Sequence, residues 1–496
     1  MKPVEADTTR GAVRGVSRDG VTAFLDIPYA APPVGAGRFA APAEHEPWQG
    51  VRDATRFGPT APQAPRVLGA MDLRAYFGDG WHRGEDHLTV NVWTPDATAT
   101  GLPVMVFVHG GGFVAGSGRS ALYDGSAFAR DGVVLVTVNY RLGIAGFLDV
   151  PGAPANRGLL DVVAALRWVR ENIARFGGDP GTVTVFGQSA GATVVSGLLA
   201  TPAATGLFRR AIVQSGNGLG AFSPEQASRV TRAAAELLNV EPTVDGFAGI
   251  SDERLVETAS LLAGIDLRTA THTDPLVGLS PFSLVLDAQP ADALVADVDL
   301  LLGTNTEEGT LYLVPFGTYA GSTGADVDAL AERAHPDPAR LVAAYREHRP
   351  GATDGEIRSA VLGDALFGAG TRALADAHGR AFVHEFAWRS PALGGELGAT
   401  HSVELPFVFG QTGLPALRGP NRLLGEGEPP ASLAAQVHDS WVRFARTGDP
   451  GWPRHTADRC ATMRFDVDGG VVDDPRGAEL RAWTRPTGLS APRERR

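Results

Sequence analysis

The stretch Gly187-Gln188-Ser189-Ala190-Gly191 lies between a short apolar run, 183–186, and a segment with helical character, 192–199. The apolar run predicts a buried strand, so the stretch is expected to form a strand-to-helix turn. A serine held between glycines at such a turn is lifted out of the sheet toward the N-terminus of the next helix. Glycine is required there because a Cβ would collide with neighbouring elements. The stretch therefore predicts a nucleophile, Ser189, at the carboxyl edge of a parallel sheet.

A second glycine-rich stretch, His109-Gly110-Gly111-Gly112-Phe113, follows another strand-like run, 104–108. Its backbone N–H groups can point at the oxygen that becomes negative when a carbonyl is attacked. The chain contains 62 glycines in 496 residues, so a single serine motif carries little weight. Two such stretches, each after a strand, predict a nucleophile with its oxyanion hole. The alternative interpretation is a pair of glycine-rich turns without chemistry.

A catalytic triad on this architecture needs an acid after the serine and a histidine after the acid. The apolar run 300–305 predicts a strand that delivers Glu307 and Glu308 to the same sheet edge. Only one of the two can reach an imidazole, because adjacent side chains project differently, and the residues alone leave both open. Seven histidines follow: His335, His348, His378, His384, His401, His438 and His455. His401 stands out because the apolar segment that follows it, 404–409, can anchor a loop over the site.

Composition excludes several classes of partner. Asp and Glu number 56 against 44 Lys and Arg, so the net charge of -12 repels polyanions and disfavours nucleic acid as a partner. Apolar runs such as 133–138 are of strand length, too short for a membrane span. No metal-ligand spacing appears among the histidines.

The cysteine count and the first residues predict a cytoplasmic location. Cys460 is the sole cysteine, so no intrachain disulfide can form. After Met1-Lys2 the chain becomes polar and acidic, unlike a signal peptide. Lys2 is the only lysine, and this arginine bias indicates a bacterial genome rich in GC. The absence of a Ser-, Pro- or charge-rich linker predicts one domain over 1–496.

Ordered motifs along nearly the whole chain carry a family resemblance. They are Ile27-Pro28-Tyr29-Ala30, Pro32-Pro33-Val34-Gly35, Arg38-Phe39, Glu85-Asp86-His87-Leu88, Asn139-Tyr140-Arg141-Leu142-Gly143, Phe176-Gly177-Gly178-Asp179-Pro180, the stretch 187–191, Trp441, Phe444 and Gly448-Asp449-Pro450. On these motifs the chain resembles the type B carboxylesterases, which include bacterial para-nitrobenzyl esterases, mammalian carboxylesterases and cholinesterases.

The resemblance implies an α/β-hydrolase fold: a mostly parallel central sheet flanked by helices, with helical cap insertions at about 220–280 and 310–380. It places the triad acid immediately before a glycine, at Glu308 rather than Glu307, and the histidine at His401. The oxyanion donors are then the N–H groups of Gly111, Gly112 and Ala190. The implied reaction is hydrolysis of a small-molecule carboxylic ester through an acyl-enzyme on Ser189, by a monomer that needs no cofactor.

The resemblance also implies contacts around the reacting atoms. Phe113, Gln188 and Phe222 match positions that touch substrate, although Phe222 could equally be a core residue. Cholinesterases carry Glu where this chain has Gln188, and Trp81 is displaced from the position of their choline-stacking tryptophan. Neutral small to medium esters are therefore expected to be preferred over choline esters. The loop 62–84 is expected to form one rim.

Supporting residues are implied by the same resemblance. Arg38 with Glu85, and Arg141 with Asp161, match buried ion pairs, and Ser215 matches a serine near the acid. Two alternatives to a carboxylesterase remain at this point. One is a lipase, amidase or lactonase that uses the same triad, and the other is a binding module without catalysis, against which the intact Ser189 argues.

Overall fold

The computed structural model describes residues 2–295 and 297–484, and within them thirteen strands join one sheet. The strands are β1 (Lys2–Asp7), β2 (Ala12–Arg18), β3 (Val21–Pro28), β4 (Val51–Asp53), β5 (Thr89–Thr94), β6 (Leu102–Val108), β7 (Val134–Val138), β8 (Gly178–Gln188), β9 (Arg210–Gln214), β10 (Asp299–Asn305), β11 (Phe382–Phe386), β12 (Ala461–Phe465) and β13 (Gly470–Asp473).

Helices flank this sheet. Their bounds are α1 (Arg74–Phe77), α2 (Ser126–Arg130), α3 (Gly143–Phe147), α4 (Arg157–Asn172), α5 (Ala190–Leu199), α6 (Pro224–Leu238), α7 (Val244–Ala248), α8 (Asp252–Leu261), α9 (Gly324–Ala334), α10 (Pro338–His348), α11 (Asp354–Gly363), α12 (Ala369–His378), α13 (Leu405–Val408), α14 (Ala431–Thr447) and α15 (Gly477–Ala482). A π-helical turn, Asp364–Gly368, joins α11 to α12.

The centre of the sheet is parallel. The strand order is β1-β2-β3-β5-β7-β6-β8-β9-β10-β11-β12-β13, and β4 pairs with β2. Along this order, every neighbour pair from β7 through β12 is parallel. The antiparallel pairs are β1–β2, β2–β3, β3–β5, β5–β7 and β12–β13. The carboxyl ends of β6, β8 and β10 therefore lie at one edge.

Apolar side chains that point alternately to the two sides of each strand cover both faces of the sheet. In β6, Val104, Val106 and Val108 belong to the apolar cluster that includes residues of α4 and α5. Met105 and Phe107 belong to the cluster on the opposite face, which includes residues of α14. Because both faces are buried, the strand reads as a continuous apolar run, as is typical of parallel sheets.

The predicted elements match the observed ones closely. The strand-like runs 104–108, 183–186 and 300–305 lie within or on β6, β8 and β10, and the helical segment 192–199 lies within α5. The region 220–280 contains α6, α7 and α8, and the region 310–380 contains α9 through α12. Helix α6 begins with a capping box, in which Ser223 and Gln226 bind each other's backbone N–H groups. The predicted α/β class is confirmed.

One of the two predicted ion pairs forms. The Arg141 guanidinium donates to both carboxylate oxygens of Asp161 at 2.7 and 2.9 Å, and both side chains are buried. The remaining nitrogen of Arg141 donates to backbone carbonyls at 37, 38 and 40, which ties the segment 35–40 to α4. The pair therefore connects two elements that are distant in sequence.

The predicted pair of Arg38 with Glu85 is wrong. Arg38 contacts Asp252 at 3.3 Å and donates to the Ile250 carbonyl at 2.6 Å, both near the start of α8. Glu85 is exposed. Resemblance along the sequence could not reveal that α8 brings a competing carboxylate to Arg38.

We expect Asp161→Asn to lower the free energy of unfolding by about 3–5 kcal/mol, because it leaves the Arg141 charge buried without its counter-ion. Urea unfolding followed by circular dichroism measures the change. The matched control is Asp266→Asn, which removes one partner of an exposed pair with Arg268 and should change stability by about 1 kcal/mol or less. Equal effects of the two substitutions would contradict the assignment of Asp161–Arg141 as a stability-determining pair.

Candidate active site

Ser189 occupies a strained turn between β8 and α5. Its φ is 58° and its ψ is -127°, a conformation that costs a non-glycine residue on the order of 1–3 kcal/mol. A Cβ on Gly187 would stand 2.7 Å from the carbonyl carbon of Gly191, and a Cβ on Gly191 would overlap the carbonyl oxygen of Val108. Both glycines therefore permit the close packing that holds the serine in place.

The second glycine-rich stretch curls beside Ser189. Gly111 and Gly112 have φ values of 126° and 64°, and a Cβ on Gly111 would overlap the carbonyl of Ala115. Within the described part of the chain, neither of their N–H groups donates a hydrogen bond. The N–H of Ala190 lies in the first turn of α5, where backbone N–H groups have no acceptor inside the helix. All three residues line one cavity.

His109 fixes this stretch rather than facing the cavity. Its Nδ1 is 2.8 Å from the Gly110 carbonyl, and its ring stacks on Tyr140 with centroids 4.5 Å apart. The Tyr140 hydroxyl donates to the His109 carbonyl at 2.6 Å. Burial lowers the pKa of His109 to about 4, so the imidazole stays neutral near neutral pH.

Glu308 and His401 meet at the same edge of the sheet. Nδ1 of His401 lies 2.6 Å from Oε2 of Glu308, and both side chains are buried. The other carboxylate oxygen, Oε1, accepts hydrogen bonds from the Ser215 hydroxyl at 2.5 Å and from the Asn305 N–H at 2.7 Å. These three contacts satisfy and orient the carboxylate, and they place Ser215 where the resemblance predicts it.

Glu307 points away from the imidazole. Its carboxylate pairs with Arg389 and accepts a hydrogen bond from the Ala399 N–H at 2.9 Å. The backbones of Glu307 and Ala399 are also bonded, at 3.0 Å. Of the two adjacent carboxylates, Glu308 contacts His401, and Glu307 ties down the loop that carries His401.

The His401 ring is held on its face and at its second nitrogen. It stacks on Phe367 with centroids 4.4 Å apart and planes 7° from parallel. Its Nε2 lies 3.2 Å from Nε2 of Gln188, whose amide also donates to the Ser402 hydroxyl at 2.8 Å. No direct hydrogen bond joins Ser189 Oγ to His401 among the described residues. The amide of Gln188 therefore occupies the second ring nitrogen of His401.

One cavity opens on Ser189, His401 and the glycines of the second stretch. Its lining residues are Arg66, Leu68, Leu73, Tyr76, Phe77, Gly110, Gly111, Gly112, Phe113, Tyr123, Gln188, Ser189, Ala190, Thr193, Leu276, Leu279, Ser280, Leu311, Tyr312, Leu366, Phe367, His401, Ser402 and Leu423. The loop 62–84 supplies five of them, in agreement with its predicted position at the rim. Glu308 lies behind His401, outside the lining.

The predicted substrate contacts divide into two groups. Phe113 and Gln188 line the cavity. Phe222 does not: it is 2% exposed, lies in the apolar core, and its N–H donates to the Leu284 carbonyl at 2.7 Å. The core interpretation of Phe222 is therefore the one its surroundings support. Trp81 is also absent from the cavity lining, and the Arg83 guanidinium covers its ring at 4.2 Å.

The other histidines that follow Glu308 lie outside the cavity. His384 lies in β11, and burial lowers its pKa to about 3. A Cβ on the facing Gly303 would overlap its ring, so this position of β10 requires glycine. His438, on α14, has its Nδ1 2.7 Å from the Val408 carbonyl oxygen and its Nε2 3.0 Å from Oδ2 of Asp131. Of the seven histidines after the predicted acid, His401 is the one that lines the cavity.

Sequence reasoning missed a buried carboxylate behind the site, Glu404. Its oxygens accept hydrogen bonds from Asn305 at 2.8 Å and from Gln214 at 3.1 Å. Burial first, and repulsion from Glu308 second, raise the pKa of Glu404 from 4.5 to about 7. The available signal was a carboxylate that opens an apolar run, because such a residue must be buried with polar partners.

No group of three or more His, Cys, Asp or Glu side chains in residues 2–295 and 297–484 could hold a metal ion. In the same ranges, no helix has the length and apolar character needed to cross a bilayer.

Comparison with known proteins agrees with this geometry. A family model described as the carboxylesterase family matches residues 2–464. The chain belongs to the carboxylesterase family. Para-nitrobenzyl esterase of Bacillus subtilis (strain 168) is 35% identical over 486 residues, which cover 94% of this chain and 96% of that protein. Phenmedipham hydrolase of Pseudarthrobacter oxydans is 35% identical over 488 residues, with the same coverage.

A solved carboxylesterase of Geobacillus stearothermophilus has the same fold. It superposes with a TM-score of 0.83 at 34% identity, and the alignment covers 97% of this chain and 100% of that one. The predicted α/β-hydrolase fold and membership of the carboxylesterase family are thereby confirmed.

We expect Glu404→Gln to change the pH dependence of stability. Between about pH 4.5 and pH 7 the folded protein retains a proton on Glu404 that the unfolded chain releases, so the contribution of Glu404 to stability falls as pH rises. The glutamine variant lacks this titration. The melting temperature of the parent minus that of Glu404→Gln should therefore decrease from about pH 5.5 to about pH 8, by the equivalent of about 2 kcal/mol.

The control for this measurement is Glu426→Gln, at an exposed carboxylate. Its melting-temperature difference from the parent should stay constant over the same pH range. A difference for Glu404→Gln that stays constant or increases with pH would show that Glu404 is ionised throughout.

Proposed function

We propose that this carboxylesterase hydrolyses small to medium carboxylic esters through an acyl-enzyme on Ser189, with His401 as the base and Glu308 as the residue that orients it. The contact that carries the proposal is the 2.6 Å hydrogen bond between His401 Nδ1 and Glu308 Oε2, made at the wall of the cavity that Ser189 also lines. With its Nδ1 proton directed at the carboxylate, the imidazole has its electron pair at Nε2, where the amide of Gln188 lies.

In the first half-reaction, Ser189 Oγ attacks the ester carbonyl carbon and its proton passes to His401 Nε2. The carbonyl oxygen becomes negative and accepts hydrogen bonds from the N–H groups of Gly111, Gly112 and Ala190. Collapse of the tetrahedral intermediate breaks the bond to the alcohol oxygen, and His401 protonates the departing alkoxide. In the second half-reaction, His401 takes a proton from water, whose oxygen attacks the acyl carbon. The bond to Ser189 Oγ then breaks, His401 returns the proton to Oγ, and the acid is released.

Gln188 must move for the first proton transfer. Its amide lies 3.2 Å from His401 Nε2 and donates to Ser402 at 2.8 Å, so it holds the base before substrate enters. Retaining the Ser402 contact while releasing His401 would free the electron pair for Ser189. The negative Glu308 stabilises the imidazolium that then forms, and its Oε1 stays bound by Ser215 and Asn305 throughout.

The cellular setting is part of the same proposal. The single Cys460 and the absence of any possible intrachain disulfide support a reducing compartment, the bacterial cytoplasm. We also propose that the enzyme acts as a monomer, because Ser189, Glu308 and His401 of a single chain already complete the site.

Ser189→Ala should abolish covalent labelling by an organophosphate and lower kcat/KM for a 4-nitrophenyl ester by roughly 10⁴- to 10⁶-fold. Mass spectrometry of the labelled peptide locates the adduct. Ser228→Ala, on the outward side of α6, serves as the control and should label like the parent. Adduct formation on another serine in Ser189→Ala would sink the assignment.

Glu308→Gln should lower kcat by about 10⁴-fold with the fold intact. The amide has no negative charge to stabilise the imidazolium, and it does not fix the tautomer of the imidazole as the carboxylate does. Glu307→Gln is the matched control from the adjacent position. It loses contacts to Arg389 and Ala399 but none to the ring, so its effect should be at most about tenfold. Steady-state kinetics with circular dichroism on both variants decides the matter, and a reversed order of severity would exchange their roles.

A further inference from the structure

Arg66 stands in the wall of the active-site cavity. It belongs to the loop 62–84 and also borders a second cavity, whose lining includes Val114 and Ala115. One terminal nitrogen of Arg66, Nη2, is 3.7 Å from the position that a Cβ on Gly112 would occupy. The guanidinium is therefore within a few ångströms of the place where a bound ester would hold its carbonyl oxygen.

No protein group balances the charge of Arg66. Among the described residues, its guanidinium makes no ion pair and no hydrogen bond, and its Nε is buried without a partner. Arg141 has Asp161 and three carbonyls, and Arg157, which has no carboxylate partner, is bound by four backbone carbonyls. Arg66 is partly exposed, and its terminal nitrogens keep unused donors that can bind an anionic group in the cavity.

The cavity itself offers no anion. None of its lining side chains is Asp or Glu, and its hydroxyl and amide groups are neutral. Glu308 is directed at His401 and Ser215, away from Arg66. Partial burial lowers the pKa of Arg66, because it withdraws part of the charge from water. A substrate that enters therefore meets a cavity with one fixed positive charge next to the oxyanion donors.

We propose that Arg66 binds a carboxylate carried by the ester substrate, so that the preferred substrates are esters with a second, ionised carboxyl group a few atoms from the scissile carbonyl. This rests on the proposed function and changes the sequence-based expectation of a neutral ester. A guanidinium presents paired N–H donors that match a carboxylate in geometry and charge. The same charge repels the trimethylammonium group of a choline ester.

The test compares substrates in matched pairs that differ in charge. For a carboxylate on the acyl side, the pair is mono-4-nitrophenyl adipate and 4-nitrophenyl hexanoate. For the alcohol side, it is 4-butyryloxybenzoate and 4-butyryloxybenzamide. Butyrylcholine and 3,3-dimethylbutyl butyrate form the cationic pair. The quantity measured is the ratio of kcat/KM for the charged ester to that for its neutral partner, in the same preparation, with spontaneous hydrolysis subtracted.

In the parent, the ratio should exceed one for at least one carboxylate pair and fall below one for the choline pair. Arg66→Met should lower the favourable carboxylate ratio by about tenfold or more, and Arg66→Lys by less, because it keeps the charge but loses the paired donors. Arg170→Gln, which removes an exposed charge on α4, should leave every ratio unchanged. Added salt should weaken the preference in the parent.

A ratio that falls only in the acyl pair places the bound carboxylate on the acid, and one that falls only in the other pair places it on the alcohol. Carboxylate ratios that are equal in the parent and in Arg66→Met, with neutral esters still hydrolysed, would overturn the proposal while leaving the esterase function intact. If the parent hydrolyses none of the six esters, the proposed function itself fails. Because both esters of a pair are measured on one preparation, partial misfolding of a variant does not change the ratio.

Discussion

The contact of the Gly191 backbone with the end of β6 is the constraint on which the site depends. A Cβ on Gly191 would overlap the carbonyl oxygens of Val108 and His109, and a Cβ on Gly110 would stand 2.8 Å from the Gln188 carbonyl. Two neighbouring strands thus end in backbone that packs against backbone. This proximity sets the N–H groups of Gly111 and Gly112 beside Ser189, so that the proposed nucleophile and oxyanion donors are positioned before any substrate binds.

The other two triad candidates depend on a longer chain of polar contacts. Asn305, at the end of β10, donates its backbone N–H to Glu308 and its side-chain amide to Glu404 and the Thr400 carbonyl. Thr400 precedes His401, so one asparagine ties the acid, the histidine loop and the buried second carboxylate together. Glu404 is tolerated because two amides donate to it and because its raised pKa allows it to be neutral.

The parts of the fold and site that could be predicted from sequence were those with local causes. Ser189 and the oxyanion glycines follow from turns whose geometry only glycine permits, and apolar runs identify the central strands. The choice of Glu308 over Glu307 needed the resemblance, because projection from a turn is not visible in composition. The sequence left two interpretations of Phe222 open and paired Arg38 wrongly with Glu85, because Leu284 and Asp252, far along the chain, decide their surroundings.

A positive residue near Gly112, such as Arg66, can stabilise the oxyanion or bind a carboxylate of the substrate, and the two effects can be told apart. If the guanidinium stabilised the developing oxyanion, its loss would reduce kcat for charged and neutral esters alike, since every ester passes through that negative oxygen. If it binds a carboxylate on the substrate, its loss acts on the charged ester alone. With neutral Gln188 beside the nucleophile, the cavity contains no fixed anion that could mask either effect. The sign of the substrate's charge therefore distinguishes recognition from transition-state stabilisation at this position.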